Sequence, residues 1–72
     1  MRRMEFTAKD LVRAAKRLGF ARDRQTGSHA GYVRGTDRVV IPMHAGRAIK
    51  PKTLASILSD MGITVEQLRE ML

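Results

Sequence analysis

Arg38-Val39-Val40-Ile41-Pro42-Met43 is the stretch whose reading decides the fold. A short apolar run rich in β-branched residues, bounded by turn-forming residues, predicts a strand, not a helix. Pro42 has no N–H to give a ladder, so the strand ends there or lies at a sheet edge. Upstream, Gly35-Thr36-Asp37 reads as a turn and His29 to Arg34 as a second strand. From Phe20 to Gln25 the residues Phe20, Arg22 and Arg24 alternate with Ala21, Asp23 and Gln25, a short polar first strand that closes at Thr26-Gly27. Two hairpins in succession predict a three-stranded antiparallel meander.

Helical patterns flank that meander. Thr7 and Asp10 have the spacing of an N-terminal capping box with Asp in place of Glu. Leu11, Ala14, Ala15 and Leu18 then recur at helical spacing, with Lys9, Arg13, Lys16 and Arg17 off the stripe. Gly19 suits the position just past the helix end, with Phe20 folding back on the last turn. After the loop His44 to Ala48, Pro51 suits the first position of a second helix, whose apolar stripe is Leu54, Ile57, Leu58 and Met61. Gly62-Ile63 repeats the Gly19-Phe20 ending. Thr64 with Gln67 is a second capping box, opening a short terminal helix that carries Leu68, Met71 and Leu72.

The 72 residues predict one domain, residues 1–72, with a thin core. The chain has no cysteine to brace it, and its two histidines and scattered acids have no metal-ligand spacing, so no metal or other cofactor is expected. Fourteen Lys and Arg face seven Asp and Glu, a formal charge of +7. All the basic residues except Arg69 lie at or before Lys52, which leaves the body strongly cationic and the C-terminal segment slightly anionic. A small basic domain of this kind points to a polyanion, nucleic acid first. No apolar run approaches the ~18 residues of a membrane span. Met1-Arg2-Arg3-Met4-Glu5-Phe6 is too short and too charged for a signal peptide, so a cytoplasmic location is expected.

The order α-β-β-β-α with an added short helix is an α+β arrangement, with two amphipathic helices covering one face of the sheet and the other face left polar and basic. This is the arrangement of the double-stranded RNA-binding domain. Within it, Leu18-Gly19-Phe20, Gln25-Thr26-Gly27-Ser28-His29, Tyr32, Ile41-Pro42-Met43-His44 and Ile49-Lys50-Pro51-Lys52-Thr53-Leu54 appear in order, followed by Ile57-Leu58 and Met61-Gly62-Ile63. From about Thr7 to Met71 the chain resembles the HicA family of small bacterial mRNA interferases. One departure is Lys52, where the family commonly has glycine before the Thr-Leu pair.

The resemblance implies a toxin that cleaves RNA without a metal, with the histidine of Gly-Ser-His, here His29, as the catalytic residue. It implies a HicB-type antitoxin partner that covers that histidine. RNA carries its own nucleophile, the ribose 2′-hydroxyl, and an imidazole can take that proton near neutral pH. Ser28 could bind the phosphate or orient the ring, or be a plain turn residue. Tyr32 could stack a base or pack into the sheet. Arg47, Lys50 and Lys52 sit at a helix start, a natural phosphate site, and are expected to position the RNA backbone without reading sequence. His44 could be the acid for the leaving 5′ oxygen, but packing or capping beside the second helix is the favoured reading. The alternatives are a non-catalytic double-stranded-RNA-binding module, or an inactive homologue that mainly binds its antitoxin. Alone, the protein is expected to be a monomer.

Overall fold

The computed structural model describes residues 5–44 and 46–72; the signal-peptide reading of Met1 to Met4 lies outside them. The elements are α1 (Ala8–Arg17), β1 (Ala21–Thr26), β2 (His29–Arg34), β3 (Asp37–Pro42), α2 (Pro51–Met61) and α3 (Val65–Met71). The strands form one antiparallel sheet in the order β1-β2-β3. The fold is therefore the expected α+β arrangement, an open three-stranded sheet with helices before and after it.

Both capping boxes form. The Asp10 N–H donates to Thr7 Oγ1 (3.4 Å), and the Thr7 N–H donates to Asp10 Oδ2 (2.9 Å). At α3 the Gln67 N–H donates to Thr64 Oγ1 (3.2 Å), and the Thr64 N–H to Gln67 Oε1 (2.8 Å). These bonds satisfy N–H groups that a helix start leaves without intrahelical partners. The end of α1 is a Schellman motif: the Phe20 N–H reaches the Ala15 carbonyl (2.9 Å) and the Gly19 N–H the Lys16 carbonyl (3.0 Å), with Gly19 at φ 91°. Phe20 thus belongs to the helix ending and the core, and β1 starts one residue later than its alternation suggested. Arg34 secures the same corner. Its Nη1 donates to the Leu18 carbonyl (2.9 Å) and its guanidinium lies 4.5 Å from the centre of the Phe20 ring.

One face of the sheet is apolar. Ala30 and Tyr32 of β2 pair with Ile41 and Val39 of β3, and all four are buried with Phe6, Leu11, Leu54, Ile57, Met61 and Leu68. Alternation sends His29, Gly31 and Val33, with Arg38 and Val40, to the opposite face. There Val40 is 47% exposed. Leu68 is fully buried, which makes α3 part of the core. Upstream of α1, Thr7 bridges Ala48, and the Ile49 N–H donates to the Phe6 carbonyl (2.7 Å), fixing the loop that leads into α2.

Each hairpin has a two-residue loop opened by a glycine at positive φ, Gly27 at 58° and Gly35 at 60°. This is the pattern of a type II′ turn, which matches strand twist. Gly31 has no such φ, and a methyl group there would meet only ordinary neighbours, the nearest at 3.5 Å. Gly27→Ala should therefore lower the unfolding free energy by about 1 kcal/mol through left-handed strain alone. Gly31→Ala should leave it unchanged or raise it, by up to about 1 kcal/mol, because Ala loses less backbone entropy on folding. Urea denaturation of the two variants checks the contrast.

Candidate active site

The turn Gly27-Ser28 delivers His29 as the first residue of β2, opposite Thr26 on one side and Pro42 on the other. Because Ala30 and Tyr32 are held in the core, the His29 side chain emerges on the helix-free face, exposed. Ser28 is half-buried. Its carbonyl accepts the Met43 N–H, which draws the end of β3 against the β1–β2 turn.

Cations share that face. A bulge between Arg22 and Arg24 leaves Asp23 as an extra residue, so that Arg22 is opposite Tyr32 while Arg24 is opposite Gly31. Without it, simple alternation would put Arg24 on the helix side with Arg22. With it, Arg24 and Arg38 lie over Gly31. Arg24 Cγ is 3.9 Å and Arg38 Nη1 3.6 Å from the place a β-carbon would take at this glycine. Arg38 Nη2 donates to Asp23 Oδ2 (3.1 Å), another interaction the bulge makes possible. No sequence pattern announces a bulge, and neither arginine was singled out from the sequence.

A groove runs along the other side of β3, between the strand and α2. Arg38 and Val40 face Lys52, Thr53 and Ser56 across one part of it. Pro42, His44, Arg47, Lys50 and Thr53 line the next part, with Thr53 common to both. Lys50 is the N-cap of α2, and its side chain makes no capping bond there; Pro51 and Lys52 are the first two helical residues. Arg47, Lys50 and Lys52 are exposed, and none makes an ion pair with another described residue. The structure thus brings Arg47 and Lys50 together beside Pro42, the cross-strand partner of His29, with Lys52 in the adjoining part of the groove.

Of the two readings of Tyr32, packing is the one the fold takes. Tyr32 is only 4% exposed and belongs to the core, because its alternation partner Ala30 and its cross-strand partner Val39 face the helices. Its ring packs in the interior and offers no platform for a base. His44 does not cap α2: it is exposed at the meeting of two clefts, and its side chain has no hydrogen bond among the described residues. Only its carbonyl is engaged, accepting the Arg47 N–H (3.1 Å). Among the described residues no group of three His, Cys, Asp or Glu is placed to hold a metal ion, and no helix is long and apolar enough to cross a membrane.

The element order and the helix-free face with its exposed arginines define a small α+β domain built on an open three-stranded sheet. Residues 8–63, from the start of α1 to just past the end of α2, match the family model described as the HicA toxin of bacterial toxin-antitoxin. The chain belongs to this family, and membership makes it the toxin of a toxin–antitoxin pair, with an antitoxin as partner. A search of curated proteins finds no match.

The contrast between a buried tyrosine and an exposed histidine is measurable. Tyr32→Ala should destabilise the fold by about 3 kcal/mol, as for other buried aromatic truncations. His29→Ala and His44→Ala should each stay within ~0.5 kcal/mol of the parent. Thermal or urea unfolding of the three variants decides it.

Proposed function

We propose that this protein is an endoribonuclease acting on mRNA, the mRNA interferase of a HicA/HicB-type pair, with His29 as general base and no metal in the reaction. His29 takes the proton of a ribose 2′-hydroxyl, and that oxygen attacks the neighbouring phosphorus. Metal is not needed to generate a nucleophile because the substrate carries one. Arg47, Lys50 and Lys52 hold phosphates, favoured by the free N–H groups and dipole at the start of α2. Ser28, beside the histidine, is assigned to a phosphate oxygen of the bound RNA. Tyr32 has no part in binding. The substrate puts the work in the cytoplasm, residues 1–72 act as one domain, and the free toxin is a monomer. A HicB-type antitoxin silences it by covering His29.

One observation carries this reading: a histidine whose side chain has no hydrogen bond or ion pair among the described residues stands on an open cationic face, one strand away from a groove lined by Arg47 and Lys50. A histidine serving the fold alone has no reason to be so placed. The family supports the toxin role, and the physical chemistry of a titratable, unengaged imidazole supports the reaction.

Expression of the wild-type chain alone should arrest growth and degrade mRNA, and purified protein should leave 2′,3′-cyclic phosphate ends on RNA in the presence of chelator. His29→Ala should slow cleavage by at least about 100-fold, within the range for removal of a general base, while still binding RNA. If wild type and variant bind RNA alike and neither cuts it, the protein is a binding module and the nuclease reading falls. The phosphate-binding cations have their own signature. Lys50→Ala or Arg47→Ala should flatten the dependence of log K on log salt by about 0.7 for each phosphate of single-stranded RNA that is no longer neutralised, without changing which sequence is preferred. Fluorescence titration of a labelled RNA at several salt concentrations reads it.

A further inference from the structure

We infer that His44 is the general acid of the same reaction, donating the proton that the leaving 5′ oxygen needs; this rests on the nuclease reading above. Four observations carry it. His44 is exposed and its imidazole is unengaged among the described residues. It lines the groove that also contains Pro42, Arg47 and Lys50. Pro42 is directly opposite His29, and the Met43–Ser28 hydrogen bond carries strand-like pairing one residue further. Met43 packs against the core just past the end of β3, and His44 follows it at the mouth of the groove, between Pro42 and Arg47 on one side and Lys9 and Val12 of α1 on the other.

The spacing suits one phosphodiester. Opposed residues of an antiparallel pair are about 5 Å apart across the strands. Two residues along a strand span about 7 Å. If the chain keeps strand geometry for two residues beyond Pro42, as the Met43–Ser28 bond begins to do, His29 and His44 are diagonal neighbours with Cα atoms roughly 8 Å apart, near enough for both rings to reach one phosphate. The groove cations hold that same phosphate.

The step balances without a further reactant. Neutral His29 takes the 2′-hydroxyl proton as the 2′-O–P bond forms. The P–O5′ bond breaks, and the departing oxygen takes a proton from cationic His44. The products are a 2′,3′-cyclic phosphate and a 5′-hydroxyl, with one proton gained by His29 and one given up by His44. Exchange with water restores both rings.

The test compares two RNA oligonucleotides, one ordinary and one with sulfur replacing the bridging 5′ oxygen at the bond that the wild type cuts. A thiolate leaves without protonation, so the sulfur substrate does not need the acid. His44→Ala should slow the ordinary RNA by about 100-fold or more and regain most of that rate on the sulfur substrate. His29→Ala should stay slow on both. Equal slowing of His44→Ala on the two substrates makes this residue a binding or structural element and overturns the inference, leaving the nuclease intact. Wild-type rates for His44→Ala overturn it equally. If the wild type cuts neither substrate, the nuclease reading itself is wrong and the inference goes with it.

Discussion

The pairing of Ala30 with Ile41 and of Tyr32 with Val39 is the constraint on which the rest depends. These four side chains supply the apolar face of the sheet and meet the helices from one side. Since successive strand residues point to opposite faces, a slip of one residue would bury His29 and Gly31 and expose Tyr32. The apolar core therefore sets the chemistry of the other face without touching it. What makes the register firm is the match between two short glycine turns and two inward-facing pairs, each of which would be broken by a shift.

The charged residues divide into those the fold uses and those it leaves free. Arg34 is held by the Leu18 carbonyl, the Phe20 ring and Asp37, 3.1 Å from its Nη2. Arg38 is held by Asp23. Exposed ion pairs of this kind add little stability, but they fix where the guanidinium groups lie. Arg47, Lys50 and Lys52 have no such tie among the described residues. They stand where a helix start already favours anions, so repulsion among them is relieved most readily by a bound polyanion. Lys52, the residue at which the family commonly has glycine, adds to this set at an exposed position where its side chain has room.

Much of this was readable because it is local. Capping boxes, glycine helix ends, β-branched runs and hairpin glycines are written within a few residues of one another, and each appears in the structure at or within a residue of its expected place. What escaped the sequence was non-local. Arg24 reaches the open face only through the bulge at Asp23, which arises from pairing with a strand several residues away. Arg34 closes the end of α1, sixteen positions earlier in the chain, a contact that no local pattern encodes. Tyr32 is polar at one end and apolar in its body; its pairing with Val39 decided in favour of packing. The place of His44 depended on Met43 following β3 down to the Ser28 carbonyl, a bond between two loops that no spacing rule encodes.

A site made from exposed side chains on a sheet is permanently open. His29 begins a strand pinned on both sides by backbone hydrogen bonds, so closing the site by moving the histidine would mean breaking the sheet. The turn beside it is a two-residue loop, too short to fold over anything. The groove beside α2 is walled by a strand and a helix that pack on one another, and it too cannot shut without disrupting the core. Among the described residues no element can move over this face without breaking the sheet or the core, and the family supplies an antitoxin as partner. Because this face is cationic, a partner that covered it with an acidic surface would compete for the groups proposed to hold a phosphate backbone. Inhibition and substrate binding would then draw on one set of charges.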